Sequence, residues 1–194
     1  FYLVLGTRLP NGEDIVKSRS RCDNCKKVLK WYNLIPLVSF IVQRGKCTSC
    51  GEKISSEHFI VELITGLLFL LTSIYFPFGY NYLTGLIIVS LMVIIFISDF
   101  KYMIILDSPL IVSIVLIIIL KLVYFGFKTT IYSIISGLIL FLIMLLVEKL
   151  GTLTLKKDSL GGGDIKFAFL MGLALDVKLG VVALVLSTFL ALPY

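Results

Sequence analysis

From Phe59 onward the chain is a succession of apolar runs separated by short breaks that carry polar, glycine or proline residues. The runs cover about 59–76, 82–98, 108–126, 130–148, 164–176 and 179–194, and Phe1 to Leu9 has the character of the tail of an earlier run. A membrane-spanning helix needs roughly 20 apolar residues. The runs are rich in Ile, Val, Leu and Phe, which taken alone would also suit strands. Length decides against strands: Pro109 to Phe125 is far too long and shows no alternation with period two. In lipid each backbone polar group must find its partner within the protein, so these runs are expected to be helices. The pattern predicts an all-α polytopic membrane protein, a bundle of about seven to eight transmembrane helices. The chain opens on Phe1 rather than Met and stops inside an apolar run at Tyr194. Both ends are therefore expected to be truncations.

Composition sharpens this picture. Of 194 residues, 58% are hydrophobic and 15% charged, against about 45–50% and 25% in a soluble domain. An ordinary soluble globule and a disordered chain are both excluded. Residues 10–58 hold much of the polar character and all four cysteines. Three regions are expected: 1–9 as the end of a first span, 10–58 as a small polar domain, and 59–194 as the transmembrane domain. The placement of charge matters more than its net value of +6. If each span crosses once, the side bearing the polar domain receives fifteen Lys and Arg, and the other side only Lys121, Lys128 and Lys178. By the positive-inside rule the polar domain is cytoplasmic. The uncharged aromatic stretch Phe76 to Tyr82 falls outside, as an interfacial belt does.

The cysteines form two pairs, Cys22-Asp23-Asn24-Cys25 and Cys47-Thr48-Ser49-Cys50. Twenty-one residues separate the pairs, just beyond the usual zinc-ribbon gap of about 15–20, and each pair can place two thiolates on one tetrahedral ion. A closed Cys₄ set points to structural rather than catalytic zinc, and a cytoplasmic location disfavours disulfides. The competing reading is two unrelated buried or redox pairs. Metal would fold a segment with little core of its own. Within it, Trp31-Tyr32-Asn33-Leu34-Ile35-Pro36 is apolar enough to lie against the membrane surface. His58, the lone histidine, stands at a span boundary and is expected to be interfacial rather than a ligand.

Carboxylates are scarce, and one in or near a span is a functional hypothesis by default. Glu148, Asp158 and Asp176 lie in or beside charged connectors and read as headgroup-facing. Asp99 ends an apolar run at the cytoplasmic face, and Asp164 follows Gly161-Gly162-Gly163 at the start of another run on the same face. The glycines permit close backbone approach and unusual dihedrals. Two neighbouring carboxylates resist joint ionisation and share a proton, the requirement of aspartyl proteolysis. Asp107, also cytoplasmic, competes with Asp99, and spacing alone does not choose between them.

An ordered series of motifs then enters. It comprises Thr7-Arg8-Leu9-Pro10, Arg19-Ser20-Arg21-Cys22, Trp31 to Pro36, Arg44-Gly45-Lys46-Cys47, Val61-Glu62-Leu63-Ile64-Thr65-Gly66, Asp99, and Gly161-Gly162-Gly163-Asp164-Ile165-Lys166. In this order the motifs resemble the type IV prepilin peptidase family, membrane aspartyl proteases of the GxGD type, along nearly the whole chain. The resemblance implies that Asp99 and Asp164 are the catalytic pair, which settles the choice against Asp107. It makes 59–194 the protease domain, in a bacterial inner or cytoplasmic membrane. It implies cleavage of the basic leader of prepilin or pseudopilin substrates on the cytoplasmic side, and in many members N-methylation of the new terminus with S-adenosylmethionine. Glu62 matches a family acidic position and is expected to support the methyl-donor site. Membrane lipids are expected partners and nucleic acid is not. Two positions depart from the family pattern: Asp23 and Leu106 stand where proline is usual. A zinc-containing scaffold of a pilus, secretion or competence system is the alternative. An ion carrier is a third reading, disfavoured because mid-span positions are almost uniformly apolar apart from Ser113 and Ser136.

Overall fold

The computed structural model describes residues 2–12, 20–22, 24–155 and 161–191, with side chains up to 153 and 187 in the last two stretches. Asp23, Arg19 and Asp158 lie outside the described residues. The described chain is helical, with two isolated antiparallel bridges, Arg21 with Val28 and Lys46 with Lys53. Its helices are α1 (Tyr2–Arg8), α2 (Val38–Val42), α3 (Ser56–Tyr75), α4 (Tyr80–Tyr102), α5 (Asp107–Leu155) and α6 (Gly162–Ala191), with a 3₁₀ turn at Trp31–Leu34. Four of them, α3 to α6, are long and apolar enough to cross a membrane.

Helix α3 begins where Ser55 accepts the backbone N–H of Glu57, satisfying one of the orphan donors of the first turn. It ends at Phe76, beside Pro77. Helix α4 stops just before Met103, which is held at φ 53° and donates its N–H to the Asp99 carbonyl.

Two helices are interrupted. Gly126 has φ 78° and ψ 178° inside α5, and Asp176 has φ 66° and ψ 172° inside α6. Both are reversals. Lys121 Nζ donates to Ser133 Oγ at 2.6 Å, although residues twelve apart on a straight helix are about 18 Å apart. A Cβ placed on Gly180 would lie 3.8 Å from the Gly172 Cα, whereas eight residues of straight helix span about 12 Å. The expected boundary between runs 108–126 and 130–148 thus falls at Gly126, and 127–155 runs on past Lys149. The break expected near 176–179 falls on Asp176.

The chain forms two compact units, Phe1–Pro77 with Met92–Ile104, and Phe78–Leu91 with Ile105–Tyr194. In the first, Leu3, Val93 and Ile97 form a core against which Tyr2, Val61 and Leu68 pack. Gly6 lets α1 approach α4, since a Cβ there would meet Ile97 at 2.6 Å. In the second, 127–155 crosses 162–175 closely. A Cβ on Gly172 would lie 2.6 Å from the Ser136 carbonyl oxygen and 2.8 Å from the Gly137 Cα. Small residues allow such backbone contact, which is how helices associate in lipid.

Candidate active site and metal centre

Asp99 and Asp164 occupy opposite kinds of helix end. Asp99 stands in the last turn of α4, exposed, directly after the fully buried Ser98, whose hydroxyl bonds the Ile95 carbonyl. The turn around it is well fixed. Lys101 pairs with Glu57 at the start of α3. The Tyr102 hydroxyl donates to the Thr7 carbonyl at 3.2 Å and accepts from Asn11 at 3.1 Å.

Asp164 stands exposed in the first turn of α6. Its N–H donates to the Gly161 carbonyl at 3.0 Å. Its carboxylate lies over the glycine run, since a Cβ on Gly161 would be 3.4 Å from Oδ2. A helix start stabilises an anion there. Gly163 is needed for packing: a Cβ at that position would sit 2.6 Å from the Ile105 Cβ. Asp107, which spacing left in competition with Asp99, is engaged by Lys166, whose Nζ lies 2.7 Å from each of its carboxylate oxygens. This pair joins the start of α5 to the start of α6, two residues beyond Asp164.

The four thiols converge. The sulfurs of Cys22, Cys25, Cys47 and Cys50 lie within 4.8 Å of one another. Cys22 and Cys50 are 3.8 Å apart, close to the edge of a tetrahedron with about 2.3 Å metal–sulfur bonds. The two CxxC turns are built alike. Cys22 N–H donates to Lys27 and Lys26 N–H to Cys22; Cys47 N–H donates to Glu52 and Gly51 N–H to Cys47. The residue after each second cysteine has positive φ, 55° at Lys26 and 73° at Gly51. Asn24 donates to Glu52 and links the turns. The backbone N–H groups of Ser49 and Cys50 pull the Cys47 thiol down to about 6. Cys50 is pushed up to about 12: the Glu52 N–H opposes this shift, and desolvation with the thiols of Cys47, Cys25 and Cys22 imposes it. Crowded thiols deprotonate one at a time unless a cation collects them. The cluster can therefore hold a metal ion.

Glu62 is half-buried on α3, and its Oε2 accepts the N–H of Leu37 at 2.9 Å. Leu37 has φ 59° and ψ −49°, and Val38 N–H reaches back to the Pro36 carbonyl at 2.6 Å. This is a γ-turn of the rare, strained hand. Its only sequence trace is Pro36. Sequence reasoning also missed the polar contact inside the second unit, where buried Lys121 bonds Ser133 and lies 4.0 Å from Asp176. Ser113 and Ser136, the polar mid-span exceptions, each bond a carbonyl four residues back.

These features define a class: a helical membrane protein with a four-cysteine module, acids at helix ends and a glycine run ahead of one of them. The model of the type IV leader peptidase family matches residues 86–194, and that of the bacterial peptidase A24 N-terminal domain matches residues 1–76. The chain belongs to the type IV leader peptidase family. It is 30% identical over 194 residues to a prepilin leader peptidase/N-methyltransferase of Bacillus subtilis (strain 168), covering all of this chain and 76% of that protein. It is 32% identical over 172 residues to the protein of that name from Myxococcus xanthus (strain DK1622), covering 89% of this chain but only 51% of the relative. The Vibrio cholerae relative of that name is 30% identical over 181 residues, 92% of this chain and 70% of its own. No solved structure matches the chain.

Proposed function

We propose that the chain is a membrane-embedded aspartic endopeptidase that removes the leader of prepilin or pseudopilin substrates, with Asp99 and Asp164 as its acids. The observation that carries this reading is the family match over 86–194, a stretch that includes both acids and the glycine run before the second. Acting as a pair, the carboxylates share one proton. The ionised member takes a proton from water as the water oxygen bonds the scissile carbonyl carbon, and the protonated member gives its proton to the carbonyl oxygen. Collapse of the tetrahedral species breaks the carbon–nitrogen bond: the acid that took water's proton gives it to the departing amine, and the other carboxylate takes back the proton from the gem-diol oxygen, which regenerates the shared-proton pair. Gly162, where an added Cβ would meet nothing within 4 Å, leaves room for an extended substrate strand beside Asp164.

The same reading assigns structural zinc to Cys22, Cys25, Cys47 and Cys50, and the cysteine-bearing segment 10–58 to the cytoplasm with both acids. Segments 107–125, 127–155, 162–175 and 177–191 then each cross once, giving seven spans with α1, α3 and α4. N-methylation of the new terminus from S-adenosylmethionine is the second activity, with Glu62 supporting the methyl-donor site. The test is cleavage of a prepilin-like substrate by purified protein. Asp99→Asn and Asp164→Asn should each lower the rate by at least about 10²–10⁴-fold, the contribution of one proton-transfer group, with membrane insertion unchanged. Retained cleavage in either variant would falsify the assignment.

A further inference from the structure

We propose that residues 31–42 form an interfacial anchor that docks on an anionic lipid surface. The segment turns its apolar side chains outward: Trp31 is 77% exposed, Ile41 64% and Val42 75%, with Val38 also exposed. Among the described residues nothing covers them, and their height is fixed. Phe40 packs on Phe59 with ring centroids 5.2 Å apart, and Glu62 holds the Leu37 N–H. The segment therefore lies level with the first apolar turns of α3, where a crossing helix enters hydrocarbon. The γ-turn at Leu37 is strained, and Glu62 holds it in the one conformation that turns the chain from Trp31–Leu34 into α2. Strain held by a dedicated side chain points to a use for the shape.

Charge selects the occupant. Residues 24–51 contain Lys26, Lys27, Lys30, Arg44 and Lys46 and no Asp or Glu. All five cations are exposed, and Lys30 lies 5.7 Å from the ring centre of Tyr32, itself edge-on to Trp31. Apolar side chains rimmed by cations and aromatic rings suit the headgroup boundary of an anionic leaflet.

Trp31 is the sole tryptophan of the chain, so its fluorescence reports on this segment alone and needs no catalysis. The full chain is reconstituted into phosphatidylglycerol–phosphatidylcholine vesicles whose lipids carry a quencher near the headgroup or at the chain end. Trp31 should emit in the blue, resist aqueous iodide, and be quenched more by the upper label, as expected about 5–10 Å below the headgroups. Ile41→Asp with Val42→Asp should abolish all three effects while the bound metal content stays that of the parent. Lys26→Gln with Lys27→Gln and Lys30→Gln should weaken quenching in anionic vesicles and not in neutral ones. Free access of iodide to Trp31 in vesicles overturns the proposal. So does loss of lipid quenching on adding a peptide of basic leader plus apolar stretch, which would give the surface to substrate.

Discussion

The carboxylate of Glu62 shows how one residue can carry a local shape. Leu37 adopts a conformation that an L-residue resists, and its N–H goes to Glu62 Oε2 rather than to water. Removing that acceptor strands a donor in a strained turn. Glu62→Ala should cost about 1.5–3 kcal/mol, the range for a hydrogen bond to a charged group. Glu62→Gln, which keeps an acceptor, should cost under about 1 kcal/mol. Thermal unfolding of the detergent-purified protein checks both, and Leu37→Gly should recover part of the loss by relieving the positive φ. At this scale the sequence gives types and order: the four cysteines, the glycines and both acids are visible in it. Partnership is not. That Asp107 belongs to Lys166 and Lys121 to Ser133 depends on helices meeting far from their sequence neighbours, and no periodicity encodes it.

Among elements, the crossing of 127–155 with 162–175 depends on missing side chains. Gly137 and Gly172 face each other, and a Cβ on Gly137 would sit 2.9 Å from the Phe169 carbonyl oxygen. Gly172→Leu should therefore destabilise the protein by about 1–3 kcal/mol or more, as overpacking does, while Gly66→Leu, whose added atom meets nothing within 4 Å, should have little effect. Unfolding midpoints of the two variants in one detergent provide the comparison. The ion pair of Asp107 and Lys166 joins two helix starts, yet both side chains are about half exposed, at 55% and 50%. Lys166→Ala should cost only about 0.2–1 kcal/mol, and swapping the charges, Asp107→Lys with Lys166→Asp, should restore most of it. Helix existence was readable because apolar runs of this length have one solution in lipid. The reversals were readable only as weak polar breaks, because a single residue with positive φ, Gly126 or Asp176, makes each of them.

For the molecule as a whole, the cysteine module and the helices should separate in experiment. Cys22→Ser or Cys47→Ser should reduce bound zinc from about one ion per chain to near none by metal analysis, while α3 to α6 keep their helical signal in circular dichroism. Wild type purified without zinc, under conditions that exclude chelators, would overturn the metal assignment. The module was readable from paired CxxC motifs because four thiolates at that spacing have few other uses. Its internal likeness was not, since Lys26 and Gly51 share a backbone conformation but no chemistry. The tight reversals also bear on biogenesis. With one non-helical residue between 107–125 and 127–155, and one between 162–175 and 177–191, neither partner of a couple has slack to wait in water while the other is threaded. Each couple should leave the insertion machinery as a preassembled hairpin, and lengthening the tether at Gly126 should be the change that lets the halves enter one at a time.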